Sequence, residues 1–164
     1  MANTGAPDIY AEVLPGRWQI LASNLLHWLN GERINPVVEL SVTSSDPLVL
    51  GEQVEFATSE GKDRVVRSRS IWSGRDFVTR KLGMRPSGRR WTVHGASTGA
   101  DVIVVRHGTG RSIGGGSGID VLVREGVDAG SVRALVAHDA DNFALSLEDF
   151  ASLNWFAIRG DYAI

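Results

Sequence analysis

The sequence of 164 residues contains no cysteine, and only two of its 17 basic residues are lysine. The absence of cysteine excludes disulfides and thiolate chemistry. No apolar run reaches the length of about 18 residues that a membrane-spanning helix requires. The first 16 residues lack both a basic residue and the apolar core of a signal peptide, so we expect no export and a cytoplasmic location. The net charge of −2 gives no reason to expect nucleic-acid binding.

The glycine-rich stretch 106–120 lacks the features that would complete a catalytic or cofactor motif. Ser112 lies in a Gly-x-Ser-x-Gly pattern, but a strand follows it where a hydrolase elbow needs a helix. The dinucleotide pattern Gly-x-Gly-x-x-Gly fails at its last position from Gly108 or Gly114, and no Walker lysine follows. We therefore expect no cofactor, and we interpret residues 108–118 as a flexible hairpin loop that could act as a lid.

The histidines also give no metal motif. No two of them have the spacing of metal ligands, so we expect no metal site and assign them structural or surface roles. They are His27, His94, His107 and His138.

Alternating apolar and polar residues dominate the middle of the chain. In the segment 64–72, for example, Val66, Ser68, Ser70 and Trp72 lie on one face and Arg67 and Arg69 on the other. Such alternation predicts half-buried strands, and turn-forming residues separate the segments. Eight strands are predicted, at 16–23, 36–42, 48–58, 64–72, 76–82, 90–96, 101–107 and 119–125. Their regular spacing favours an all-β sandwich or barrel.

The last forty residues have helical spacing instead. Two short helices are predicted at 129–139 and 146–156, the second with Ser146 and Asp149 in a capping box. We expect the first dozen residues to be disordered. The predicted organisation is a single domain over residues 1–164, with the barrel in residues 14–126 and a C-terminal helical segment in residues 127–164.

Five tryptophans stand out in a chain of this size. Each would bury a large area as a core anchor, or would line a shape-selective pocket. Trp72 shares its predicted face with Ser68 and Ser70, whose small side chains leave space beside it. That arrangement favours a pocket wall. Both roles stay open for the other tryptophans.

The segment "GRWQILASN" (16–24) resembles the first-strand signature of lipocalins and their calycin relatives, and the later strand order is similar to compact bacterial lipocalin-like proteins. The matching pieces are Trp28, the strands "IWSGRDFV" and "RRWTVHGAS", and the late strand "GIDVLVREG". The resemblance implies a mainly β fold: an eight-stranded antiparallel up-and-down β-barrel with short C-terminal helices. It also implies that Trp18 plugs the closed end of the barrel and that Arg124 packs across it.

An eight-stranded barrel can hold one small ligand. The resemblance implies an enzyme that catalyses the intramolecular cyclisation of a hydrophobic polyketide or polyene by shape and hydrogen bonding. Enzymes of this kind are cofactor-independent cyclases or pericyclases of natural-product biosynthesis, and they include Diels–Alderases. Their main requirement is to hold the flexible substrate in a reactive conformation. The alternatives are a non-catalytic cytoplasmic carrier or sensor of an apolar molecule, and a barrel packed solid. No catalytic residue is identified. The expected ligand-binding residues are His27, Trp28, Phe56, Trp72, Met84 and Trp91.

The expected partner is therefore a hydrophobic small molecule, with no nucleic acid and no membrane. The mixed pattern on the outer face of the strands leaves a homodimer open.

Overall fold

A computed structural model of the chain describes residues 5–81, 89–108 and 118–156, without the side chains of residues 5–7, 27 and 81. Eight antiparallel strands form the barrel: β1 (Gly16–Ser23), β2 (Ile34–Ser45), β3 (Leu48–Ala57), β4 (Asp63–Trp72), β5 (Phe77–Lys81), β6 (Arg89–Ala96), β7 (Val102–His107) and β8 (Gly118–Arg124). Consecutive strands pair throughout, and β1 pairs with both β2 and β8, which closes the barrel. The predicted up-and-down β-barrel is confirmed.

The helices differ more from the prediction. A helix at Gly5–Val13 (α1) replaces the expected disorder of the first dozen residues, because Tyr10, Ala11 and Leu14 pack into the barrel core. By contrast, the short helical cap that the residues after Asn24 ("LLHWL") predict is present: a four-residue helix, Leu26–Leu29 (α2), follows β1.

In the C-terminal segment, a 3₁₀ turn at Ala129–Ser131 leads into α3 (Val132–His138), close to the first predicted helix. The second helix, α4 (Leu147–Ser152), begins at the predicted capping box of Ser146 and Asp149 but ends earlier than expected.

The reason for the early end is a ninth strand. Leu153 has extended backbone angles, and β9 (Asn154–Trp155) pairs with Ala22 and Ser23 of β1. Because residues 154 and 155 are extended and hydrogen-bonded to β1, the helix cannot continue to residue 156.

Two hydrophobic cores result from the alternation along the strands. Inward side chains such as Trp18, Leu50 and Ile103 form the core inside the barrel. Outward side chains of β1, β7 and β8 form a second core with α3, Phe143 and Leu145. The two faces of β8 are therefore both buried, and its burial is continuous along Gly118–Val123.

Gly95 allows this second core to close. A Cβ atom there would lie 2.5 Å from the Cα of Phe143 and 2.6 Å from the carbonyl oxygen of Asn142. The backbone of the C-terminal segment thus lies directly on β6, where any side chain would exclude it.

An ionic cluster joins the first strands on the outside of the barrel. The guanidinium of Arg17 contacts Glu39 at 2.9 Å, Glu55 at 2.9 Å and Glu125 at 2.6 Å. Its hydrogen bond to Glu55, followed by that of Gln53, lowers the pKa of Glu55 below its ordinary value. These groups are partly exposed, so each pair contributes little at neutral pH.

Candidate functional site

One end of the barrel, here called the closed end, is sealed by α1 and by the plug that the resemblance implied. Trp18 is fully buried, and its indole Nε1 donates to the carbonyl oxygen of Leu14 at 2.9 Å. The guanidinium of Arg124 lies 4.2 Å from the centre of the Trp18 ring and donates to the carbonyl oxygens of Val13 (2.7 Å) and Pro15 (3.1 Å). Because every one of these polar groups is satisfied within the fold, the closed end is structural.

Gly16 has a specific role beside the plug. Its φ is +126°, and a Cβ there would lie 2.8 Å from Nη1 of Arg124. Both the backbone conformation and the close approach of the guanidinium require glycine. The Gly-x-Trp signature is thereby explained by packing at the closed end.

An aromatic cluster extends from the closed end into the barrel. The Tyr10 ring of α1 lies edge-on to Trp72 at 5.3 Å, and Trp72 lies 5.0 Å from Phe77. Phe77 in turn stacks on Trp91 at 4.4 Å. Burial raises the pKa of Tyr10 above its ordinary value. Trp72 and Trp91, both predicted to bind a ligand, are therefore in contact with core side chains, and their contact with a ligand stays a prediction.

The opposite end, here called the open end, is where β1 finishes and α2 and the start of β2 lie. Arg33, half-buried, places its guanidinium 4.8 Å from the Phe56 ring and 5.5 Å from the Trp28 ring. Phe56 faces inward, because it alternates with the interior residues Leu50 and Val54. The structure thus brings together two predicted ligand-binding residues, Trp28 and Phe56, around a cation that sequence reasoning missed.

Two of the six predicted residues cannot be placed. Met84 lies outside the described residues, as do residues 109–117 of the expected lid. His27 is part of α2, but its side chain is outside the description.

Polar side chains occupy one wall of the interior between the two ends. Arg89 contacts Glu52 at 3.1 Å, and the hydroxyl of Ser70 donates to the same carboxylate at 3.1 Å. With its one proton donated to Glu52, Ser70 accepts hydrogen bonds from the hydroxyl of Thr79 at 2.9 Å and from Trp91 Nε1 at 3.0 Å. The network satisfies the buried carboxylate and the indole N–H, so it stabilises the wall of the barrel.

A second polar group, His107 with Asp120, lies on β7 and β8. Both face inward, because His107 alternates with Ile103 and Val105, and Asp120 with Leu122, all members of the interior core. Nε2 of His107 lies 2.9 Å from Oδ2 of Asp120, and the two side chains are only 11% and 5% exposed. Among the described residues, Nδ1 of His107 and Oδ1 of Asp120 are buried with no hydrogen-bond partner.

Sequence reasoning missed Arg33 and the His107–Asp120 pair, and it assigned His107 a structural or surface role. A signal was present for the pair: each residue is a polar interruption at an inward position of an otherwise apolar strand. For Arg33 no comparable signal exists, since it precedes the alternating part of β2.

Two cavities lined by described residues lie outside the barrel. One, of about 520 Å³, lies between the β6–β7 hairpin and α3, with Asp101, Asp128 and Leu135 among its lining residues. The other, of about 300 Å³, is a polar groove on the outer face of β2, β3 and β4, where Gln53 and Arg67 project.

Within the described parts of the chain, no three potential ligand side chains converge on a point where a metal ion could bind. The same residues form no helix long and apolar enough to cross a membrane.

The closed strand order, the plug and the helix at its base define a lipocalin-like barrel. No protein-family model matches the sequence, and no curated protein matches it either. Solved structures do match.

The siderocalin Ex-FABP matches with a TM-score of 0.59 and 13% identity, over 90% of this chain and 96% of that one. Lobster apocrustacyanin A1 matches with a TM-score of 0.65 and 7% identity, over 94% and 85%. The cockroach allergen Per a 4 matches with a TM-score of 0.59 and 11% identity, over 84% and 83%. At these identities the likeness concerns the fold.

Proposed function

We propose that this protein binds one small hydrophobic molecule inside its barrel, entering at the open end. The observation that carries the proposal is the contrast between the ends. At one end α1 and Arg124 form a hydrogen-bonded seal, while at the other, among the described residues, Arg33 contacts only the rings of Trp28 and Phe56. Aromatic rings with a few polar groups are the usual lining of small-molecule sites. The siderocalin with a similar fold functions through dual ligand specificities, which agrees with this use of the barrel.

The test uses N-phenyl-1-naphthylamine, a neutral dye whose fluorescence rises in apolar surroundings. We expect saturable binding with one dye per chain. Ser68 is inward and buried, so Ser68→Phe fills the interior and should weaken dye binding by roughly tenfold or more, a loss of ~1.4 kcal/mol.

The matched control is Ser41→Phe. Ser41 is exposed on the outer face of β2, so this variant should bind the dye as the unchanged protein does. Thermal unfolding of both variants shows that each is folded. Equal affinities in the two variants, or no saturable binding at all, would contradict the proposal.

The finer candidate is catalysis of an intramolecular cyclisation, with non-catalytic carriage or sensing as its equal alternative. The observation that favours chemistry is the polar His107–Asp120 pair among apolar inward residues, which offers a hydrogen bond to a folded substrate. Electrocyclic closure of a conjugated polyene converts one π bond into one carbon–carbon σ bond, and a cycloaddition converts two into two, so neither consumes a co-reactant.

Parinaric acid, a fluorescent linear tetraene, separates the two candidates. After incubation with the protein it is extracted and examined by absorbance and by chromatography coupled to mass spectrometry. Loss of the tetraene absorbance at constant mass supports cyclisation, whereas recovery of unchanged parinaric acid after saturable binding supports a carrier or sensor.

A further inference from the structure

Buried polar atoms without partners mark the His107–Asp120 pair as different from the other interior polar groups. The carboxylate of Glu52 is engaged by both Arg89 and Ser70, and the indole N–H of Trp91 is engaged by Ser70. The His107–Asp120 pair has one internal contact and leaves an atom of each residue unengaged within the described residues. Burying such atoms is costly unless a further group pairs with them.

The contact between the two residues sets the character of the unengaged nitrogen. An ionised Asp120 can only accept, so Nε2 of His107 must carry the proton that bridges the 2.9 Å contact. In the neutral imidazole the other nitrogen, Nδ1, then has no proton and is an acceptor. With His107 neutral and Asp120 ionised, Nδ1 of His107 and Oδ1 of Asp120 present two neighbouring hydrogen-bond acceptors in the barrel interior.

The position of the pair places these acceptors beside apolar surface. His107 is the cross-strand partner of Trp91, and Asp120 is flanked on its own face by Leu122. Both lie near the open end, because β8 begins there at Gly118 and β7 finishes there. A ligand lying on the apolar residues would thus reach the acceptors with a polar end.

From this geometry we infer that the barrel selects amphipathic ligands: an apolar body carrying a hydroxyl or another O–H or N–H donor, which donates to Nδ1 of His107. The inference rests on the proposed function and specifies its ligand class. His107 would be the specificity-determining residue, and Asp120 a positioning residue that fixes the tautomer of the imidazole.

The experiment measures displacement of N-phenyl-1-naphthylamine by 1-decanol and by decyl methyl ether. The two competitors have similar apolar bodies, but only the alcohol can donate a hydrogen bond. We expect the unchanged protein to prefer the alcohol by roughly three- to tenfold, the effect of one hydrogen bond. In the double variant His107→Phe/Asp120→Leu, which removes both acceptors and leaves no unpaired buried carboxylate, the preference should disappear through weaker alcohol binding, with the affinity for the ether retained.

His138→Phe is the matched control. His138 is exposed at the end of α3, outside the barrel, so this variant should keep the preference for the alcohol. If the dye binds and the unchanged protein shows no preference, the inference is overturned while the proposed function stands. If the dye does not bind at all, both fail.

A second measurement does not depend on the folding of a variant. In the unchanged protein labelled with ¹⁵N, the His107 Nδ1 resonance should have the shift of an unprotonated nitrogen. It should move on addition of decanol and stay in place on addition of the ether. A protonated Nδ1, in a neutral or a charged ring, or equal responses to both compounds, would overturn the inference.

Discussion

Two arginines cover tryptophans at opposite ends of this barrel, and they are held in different ways. Arg124 lies over Trp18 and donates two hydrogen bonds to backbone carbonyl oxygens, those of Val13 and Pro15. Arg33 lies over Trp28 and Phe56, and it makes no hydrogen bond or ion pair among the described residues.

This difference agrees with the proposed division of the barrel into an end that stabilises the fold and an end that admits a ligand. A guanidinium bonded to backbone carbonyls cannot leave without exposing unpaired acceptors, so Arg124 is a fixed part of the closed end. A guanidinium held by ring faces alone contributes about 0.5–1 kcal/mol at a partly exposed site, so Arg33 can yield to a ligand at little cost.

The largest expected effect is at the plug. Trp18→Ala removes a fully buried indole and its hydrogen bond to Leu14, and it should lower the free energy of unfolding by about 3–5 kcal/mol. Urea unfolding followed by circular dichroism measures the loss. A decrease below about 1 kcal/mol would show that the closed end is not the main anchor of the fold.

The next effect concerns the cover of the plug. Arg124→Met keeps an unbranched side chain over Trp18 but removes two hydrogen bonds, at a cost of about 2 kcal/mol. Hydrogen exchange should also show faster exchange of the amides of α1, because Arg124 no longer holds the carbonyl of Val13. Unchanged exchange in α1 would indicate that the helix docks through its apolar side chains alone.

The same substitution at the open end gives the direct contrast. Arg33→Met should change the free energy of unfolding by less than about 1 kcal/mol. The open end becomes more apolar, so binding of N-phenyl-1-naphthylamine should tighten by roughly threefold, whereas Arg124→Met should leave it unchanged. A stability loss at Arg33 equal to that at Arg124 would remove the distinction between the two ends.

The smallest effect belongs to a third arginine, Arg17, which neighbours the plug in sequence but lies outside the barrel. Because Arg17 lowers the pKa of Glu55 from its ordinary value of 4.5, the pair stabilises the fold above that pH. The contribution is lost as the pH falls through the lower pKa of the folded state.

Arg17→Gln should therefore reduce the stability lost between pH 6 and pH 3 in urea unfolding. Arg67→Gln, which removes an exposed arginine from the outer face of β4, serves as its control. If the unchanged protein and Arg17→Gln lose the same stability between pH 6 and pH 3, the Arg17–Glu55 ion pair is not the source of that loss.

The alternation along the strands predicted all eight barrel strands to within three residues at each end, because one face of each is buried and the other is not. The helix α1 was missed for a physical reason. The short segment Gly5–Val13 is only marginally stable as an isolated helix. The helix forms because Tyr10 and Leu14 pack into a barrel that later residues build. The early end of α4 likewise depends on pairing with β1.

For the candidate site, the sequence indicated Phe56 by its place in an alternating strand and Trp28 by its place just after β1. The structure places both beside Arg33, and their contact with a ligand stays a prediction. The pairing of His107 with Asp120 depends on the register of β7 and β8, in which His107 lies opposite Gly118, two residues from Asp120. Register across a loop cannot be read from a single sequence, so two inward polar residues could not be joined into one group.

The most direct test of binding inside the barrel is intermolecular nuclear Overhauser effects from bound N-phenyl-1-naphthylamine. Binding inside the barrel should give contacts from the dye to the indole of Trp28 and the ring of Phe56. Contacts to Leu135 instead, in the cavity of about 520 Å³ beneath α3, would place the ligand outside the barrel and contradict it.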